Sequence, residues 1–465
     1  MAVELTSLLL VNAAYFVVGL SVFVLLRWVT TERATWYRLG VAYPAGLVVV
    51  TIPASYLALL RVPVSLTATL VGVVIVGAAA FRSRLWRGLG FGIALRRPRL
   101  SAGSIAGGAI GLVLAVLLLY AARTFATRPF IEWDSWVVWM SKARLLYENP
   151  SAAPAALRSG NYGQSPYPLG LPTIEALSFS AMGKFDGTLL GVQFLLLASA
   201  FPVALWSLLR SHARAWMIAL AALVTMGAPQ LLFQLLTRYA DVPLGIFVGL
   251  GLAAGASWLI SERDERWLLG CFALFLGMAG ITKNEGLLFS AAAGVALVAA
   301  SWSTPDRARL RDAGVAVAGM LAVMLPWRVY CSAYGLSTPD YDLAHATDPS
   351  YLRAHADRVW PAATELWHQA TIVHSWGLLT WVILLALLTA VLAAEWRLVT
   401  FAGLWLVLAI SGLLLTYWVS TLPVESNLTN TSFRTIVSLL IGGVALVPLL
   451  VFRRPVEPTS AEAGP

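Results

Sequence analysis

Charge is what this sequence has least of. Only 12% of its 465 residues are Asp, Glu, Lys or Arg, about half the share that a soluble chain carries. With 59% hydrophobic residues and a mean hydropathy of +0.77, a water-soluble domain is excluded. Cysteine is nearly absent. Cys271 falls inside an apolar run and Cys331 at the end of one, so no disulfide framework is indicated. Of five histidines, His345, His355, His368 and His374 share one polar segment, and their spacings match no compact metal signature. No Walker-type Gly-Lys-Ser/Thr loop occurs to cradle a nucleotide. The short alternating strands of a membrane barrel are missing too, so the fold class is an all-α polytopic membrane protein.

What is there is a succession of apolar runs of about 18 to 25 residues, enough to cross a hydrocarbon core of roughly 30 Å as helices. They cover 6–26, 41–60, 64–81, 104–121, 188–209, 215–235, 242–260, 267–281, 287–301, 313–330, 376–394, 398–418 and 435–452, about thirteen spans. The first is not a cleaved signal, because it is preceded by Glu4 rather than a cation and is too long.

Lys and Arg set the orientation. With the N-terminus outside, the inner connections receive Arg27, Arg33, Arg38, the block Arg82, Arg84, Arg87, Arg96, Arg97 and Arg99, then Arg210, Arg214, Arg263, Arg266, Arg307, Arg309, Arg311, Arg397, Arg453 and Arg454. That is about 19 of the 32 Lys and Arg, against about 9 of the 23 Asp and Glu, the bias of the positive-inside rule. The net charge of +9 thus reflects topology and anionic membrane lipids rather than nucleic acid. The expected location is the cell (inner or plasma) membrane, multi-pass, with the C-terminus cytoplasmic. The organisation reads as additional N-terminal helices with a basic cytoplasmic loop (1–100), a transmembrane core (101–452) with outer loops 122–187 and 331–375, and a disordered cytoplasmic tail (453–465).

The long outer loops, with the short segment 420–434, point to a site facing outward. Within the first, Trp133, Trp136, Val137 and Met140 recur at i, i+3, i+4 and i+7, the apolar stripe of an interfacial helix. Asp134 stands between tryptophans, and a carboxylate there is costly unless paired or used. A plain capping helix is the competing reading.

The segments WDSWVVWMSKA, YPLGLP, TRYADVPL and GITKNEG, in that order, resemble the polytopic GT-C glycosyltransferases, specifically bacterial relatives of the protein O-mannosyltransferase and lipid A aminoarabinose transferase group, over roughly 104–452. The resemblance implies a GT-C-like bundle and inverting transfer of a sugar from a polyprenyl-phosphate donor to a hydroxyl of a lipid, glycan or protein acceptor, on the non-cytoplasmic face. Asp134 matches the catalytic base. The family often has an Asp-Glu pair there, whereas Ser135 follows here, which brings Glu132 into consideration. Asp241 resembles a second family acid. No cofactor is required by these motifs, although a divalent metal ion remains compatible with them.

A leaving phosphate needs positive charge, and Lys283, Arg238 and Arg434 are the candidates to bind it. Each has a competing structural reading: Arg238 with Asp241 at i, i+3, Lys283 with Glu285, or simple snorkelling. Tyr167 could stack on sugar or shape a Tyr-Pro turn, and Lys142 could bind substrate or lie on a solvated face. Asp340-Tyr341-Asp342 reads as a chance match to a nucleotide-sugar motif. Gly245 with Gly249, and Gly251 with Gly255, read as close-packing faces. The alternatives in function are an O-antigen-ligase-like transferase using a diphosphate-linked donor, centred on the later outer loop with Arg353 and Arg358, and a lipid or solute transporter.

Overall fold

The long apolar runs become helices because a backbone in lipid must satisfy its own polar groups. The computed structural model describes residues 2–28, 36–82, 102–127, 132–160, 162, 164–261, 265–302, 306–338 and 340–451. Arg33, Arg84, Arg87, Arg96, Arg97, Arg99, Arg263 and the tail 453–465 lie outside them.

The chain runs through α1 (Ala2–Leu25), α2 (Ala42–Ala58), α3 (Val64–Phe81) and α4 (Ala102–Thr127). A π-helix (Ser135–Met140) leads into α5 (Ser141–Glu148), α6 (Ala153–Arg158) and α7 (Gly170–Met182). Then come α8 (Gly191–Leu209), α9 (Ala215–Met226), α10 (Pro229–Leu236), α11 (Asp241–Ile260), α12 (Arg266–Thr282), α13 (Asn284–Trp302) and α14 (Arg307–Ala333). Short helices α15 (Pro349–Ala354), α16 (Val359–Thr371) and α17 (Val373–Trp376) precede α18 (Leu379–Leu392), α19 (Trp396–Trp418) and α20 (Val424–Val451). Among the described residues there is no strand beyond one antiparallel bridge between Tyr341 and Ser420.

Among the described residues, ten helical stretches are long and apolar enough to cross a membrane, α2 together with the 3-10 turn before it (Tyr37–Ala58), or eleven if the bent pair α9 and α10 is one span, against about thirteen expected. Three runs differ for local reasons. The run 215–235 is bent by 62° between α9 and α10, where Pro229 opens α10 and holds Ala228 extended. The run 376–394 is broken at Gly377, which has a φ of +60°, so α18 keeps only 14 residues. At 17 residues, α12 spans about 26 Å at 1.5 Å per residue.

Apolar on every side, α11 is wholly buried and forms the centre of the bundle. Its glycines are close-packing sites: a Cβ at Gly245 would lie 2.5 Å from Ile441 on α20, and one at Gly251 2.6 Å from Leu276 on α12. The N-terminal helices are fastened to the core by polar contacts. Asn12 donates to Gln193 on α8 at 2.9 Å, Tyr43 to Asn12 at 2.7 Å, and Ser55 to Thr173 on α7 at 2.9 Å.

Two elements depart from the expected surface loop of 122–187. α7 is buried along almost its whole length; at 13 residues, with Thr173, Glu175 and Ser178 in it, it is too short and too polar to register as an apolar run. Around Asp134 the chain coils as a π-helix, and its wider turn splits the expected stripe. Trp133, Trp136 and Val137 are exposed while Met140 is buried beside Ser135, Val138 and Trp139.

Candidate active site

Three chain breaks and one helix meet in a cavity of about 500 Å³. Asp134 precedes the π-helix, Asp241 opens α11, Lys283 occupies the corner between α12 and α13, and Arg434 lies on α20. The corner at Lys283 is tight because Gly286 permits it: a Cβ there would sit 1.9 Å from the Ala279 carbonyl oxygen.

These residues form one chain of ion pairs. Glu285 contacts Lys283 at 2.8 Å, Lys283 contacts Asp241 at 2.7 Å, and Asp241 accepts from Nε of Arg434 at 3.3 Å. Arg434 Nη1 in turn donates to Asp134. The Arg434 guanidinium also stacks on the Tyr239 ring at 4.3 Å, and Ser438, one turn further on, donates to the Asp241 carbonyl at 3.0 Å. Burial works against the charge on Lys283, but Asp241 and Glu285 outweigh it and hold the ammonium above its ordinary pKa. With three carboxylates and two cations, the chain carries one negative charge in excess. Such a buried network is maintained by completeness, since removing one partner strands another without its counter-charge.

The expected residues separate into groups. Asp134, Lys283, Glu285, Arg434 and Tyr167 line the cavity, and Asp241 bridges Lys283 and Arg434 from behind. Glu132 stands at the margin, accepting from the Tyr239 hydroxyl at 3.4 Å. Arg238 is not among the lining residues. It has a left-handed φ of +57°, reaches the Leu236 and Thr188 carbonyls at 3.2 and 3.4 Å and lies over Phe125. The competing reading, an i, i+3 pair of Arg238 with Asp241, gives way to pairs of Asp241 with Lys283 and Arg434, because the left-handed residue turns the chain before α11 begins. The other local pair, Lys283 with Glu285, is present.

Lys142 is not on a solvated face. It is fully buried, donating to the Gln164 and Tyr167 carbonyls at 2.7 and 2.8 Å. Burial pushes it down to about 7. Trp327 Nε1 donates to the Pro166 carbonyl at 3.1 Å, so the Tyr-Pro segment is a pinned turn that sets Tyr167 edge-on to Trp139 at 5.4 Å.

Several lining residues escaped sequence reasoning: Trp139, Gln164, Tyr239, Asn427, Asn430 and Thr431. A signal existed for the last three. With Arg434 they stand at i, i+3, i+4 and i+7, one polar face of α20, which continues 11 residues before the apolar part at Thr435. The Asp-x-Asp segment divides: Asp340 lines the cavity, whereas Asp342 caps the 3-10 turn Leu343–Thr347 by accepting from Ala344 N. Among the described residues, no group of three His, Cys, Asp or Glu side chains is gathered as a metal site.

Chemically, the site offers a carboxylate whose guanidinium partner is shared, an ammonium, and amides and hydroxyls on the face of α20 that carries Arg434. It suits an anion that competes for Arg434 and Lys283 together with a hydroxyl near Asp134. No family model, curated protein or solved structure matches the chain.

Proposed function

We propose that this protein is a GT-C-type membrane glycosyltransferase that moves a sugar from a polyprenyl-phosphate donor to an acceptor hydroxyl on the non-cytoplasmic face, with inversion. The observation that carries the reading is the convergence of Asp134 and Arg434, 300 residues apart, with Lys283 in a single cavity, braced from behind by Asp241. The donor phosphate would draw Arg434 and Lys283 toward itself. With Arg434 drawn to the phosphate, the Asp134 carboxylate is freed to face the acceptor hydroxyl as the leaving group is bound. The acceptor oxygen attacks the anomeric carbon, its proton passes to Asp134, and the bond from that carbon to the phosphate oxygen breaks with the electron pair leaving on phosphate.

Orientation is supported by the far end of α11. There Arg309 donates to the Trp258 and Ser261 carbonyls at 2.7 and 3.0 Å, so arginine-rich connections lie opposite the cavity, as an outward-facing site requires. The ligase-like alternative is less favoured by the later loop. Arg358 is held by the Ser420 carbonyl at 2.5 Å, His345 and His355 stack on Tyr351, and none of these lines the cavity.

The test is sugar release from a panel of radiolabelled polyprenyl-phosphate sugars by purified protein in lipid. Asp134→Asn is expected to lower turnover about 10²–10⁴-fold, the span of general base catalysis, with donor binding largely intact. Lys283→Ala should instead weaken donor binding. Normal turnover by Asp134→Asn would sink the mechanism.

A further inference from the structure

We propose that Asp340 is a second catalytic carboxylate of this cavity, receiving from Asp134 the proton taken off the acceptor. The inference rests on the glycosyl-transfer reading and adds a step to it. Three acidic side chains line the cavity: Asp134, Glu285 and Asp340. Asp134 is tied to Arg434 and Glu285 to Lys283, whereas among the described residues no ion pair ties Asp340.

Its position is nonetheless fixed. The Asp340 carbonyl accepts from Thr421 N and from Ser420 Oγ, each at 3.1 Å, just before α20 begins. The next residue, Tyr341, forms the bridge to Ser420. A carboxylate pinned through its backbone but in no ion pair among the described residues is organised for proton exchange rather than for holding the fold.

The direction of transfer follows from the neighbours. Arg434, drawn to the phosphate during transfer, returns to Asp134 when the phosphate product leaves, and restoring that pair favours passing the proton on. Asp340 is a suitable receiver: burial raises its pKa, Thr338 lowers it, the like charges of Glu285 and Asp134 raise it, and Lys283 lowers it in part, for a net rise. Tyr167 and Tyr341 stand near without charge. The proton moves from the acceptor oxygen to an Asp134 oxygen and then, across the cavity that both line, to an Asp340 oxygen, and Asp134 returns as carboxylate to Arg434.

The experiment uses the full chain in lipid and two readouts on Asp340→Asn, a near-isosteric change. The first is the infrared carboxylic-acid band of the ligand-free protein as a function of pH. A band that titrates above the ordinary Asp range and is lost in Asp340→Asn is expected; its absence from the wild type overturns the proposal, whatever the substrate proves to be. The second is turnover. Asp340→Asn should lower it at least tenfold and move the acid limb of the pH profile, leaving donor affinity unchanged. The double variant with Asp134→Asn should be no worse than Asp134→Asn alone, since both act on one proton. Additive losses, or an unmoved pH limb, would also overturn it. If no donor yields sugar while the band behaves as expected, the glycosyl-transfer reading fails and the proton-holding role of Asp340 stands.

Discussion

Arg434 is the residue on which the cavity depends most, because among the described residues it alone joins the carboxylate before the π-helix to the carboxylate of α11. Arg434→Ala removes both contacts and leaves Asp241, which is 1% exposed, with Lys283 as its remaining cation. The expected cost is about 3–5 kcal/mol, as for breaking a buried pair on one side, read as a lowered Tm in detergent. Lys142 makes a different prediction. Its folded pKa of about 7 lies below the ordinary 10.5, so between these values the unfolded chain binds a proton that the folded chain does not. Stability contributed by this residue therefore rises with pH from about 7 toward 10.5, and below pH 7 the folded chain carries the buried charge. A neutral amine keeps two N–H groups, enough for the two carbonyls it meets. The Tm of wild type minus that of Lys142→Met should climb over that window; a flat difference would refute the assignment.

The small-residue faces of α11 are legible as a pattern, and the structure shows what each one meets. Leu276 of α12 fills the place a side chain at position 251 would need. Gly251→Val should destabilise the bundle by about 1–3 kcal/mol through overpacking, whereas Gly314→Val, at a position with open space around it on α14, should leave Tm unchanged. Helix existence was readable because apolar runs are long and continuous. The breaks were harder. Pro229 and Gly377 are visible in the sequence, yet only packing turns one into a 62° bend and the other into a stop. The π-helix was not readable from the stripe around Asp134, because a 3.6-residue period and a wider turn share their first positions and diverge only further on.

At the scale of the whole molecule, the arginine bias and the cavity make a joint statement about sidedness. Both native cysteines are buried, so single added cysteines report accessibility cleanly. Ala354→Cys, on the cavity side of the late loop, should react with a membrane-impermeant maleimide in intact cells. Ala393→Cys, at the other end of α18, should react only after permeabilisation. The reverse pattern would invert the topology and place the cavity on the cytoplasmic face.

Local order explains what could be read directly. Composition and run length alone determine that this chain is helical and multi-pass, since burial in lipid acts on each segment by itself. The same reading drew attention to Asp134, Lys283, Glu285, Tyr167 and Arg434, which the cavity does bring together. Partnership was decided elsewhere. Asp241 pairs with Lys283 across 42 residues rather than with Arg238 across three, and Asp134 finds Arg434 across 300. The burial of Lys142 and α7, and the entry of Asp340 and the Asn427 face into the cavity, belong to the same class of fact. Hydrophobic periodicity is a property of one segment, whereas an ion pair or a cavity wall exists only where separate segments approach within a few ångströms, and that approach is set by the packing of the whole bundle.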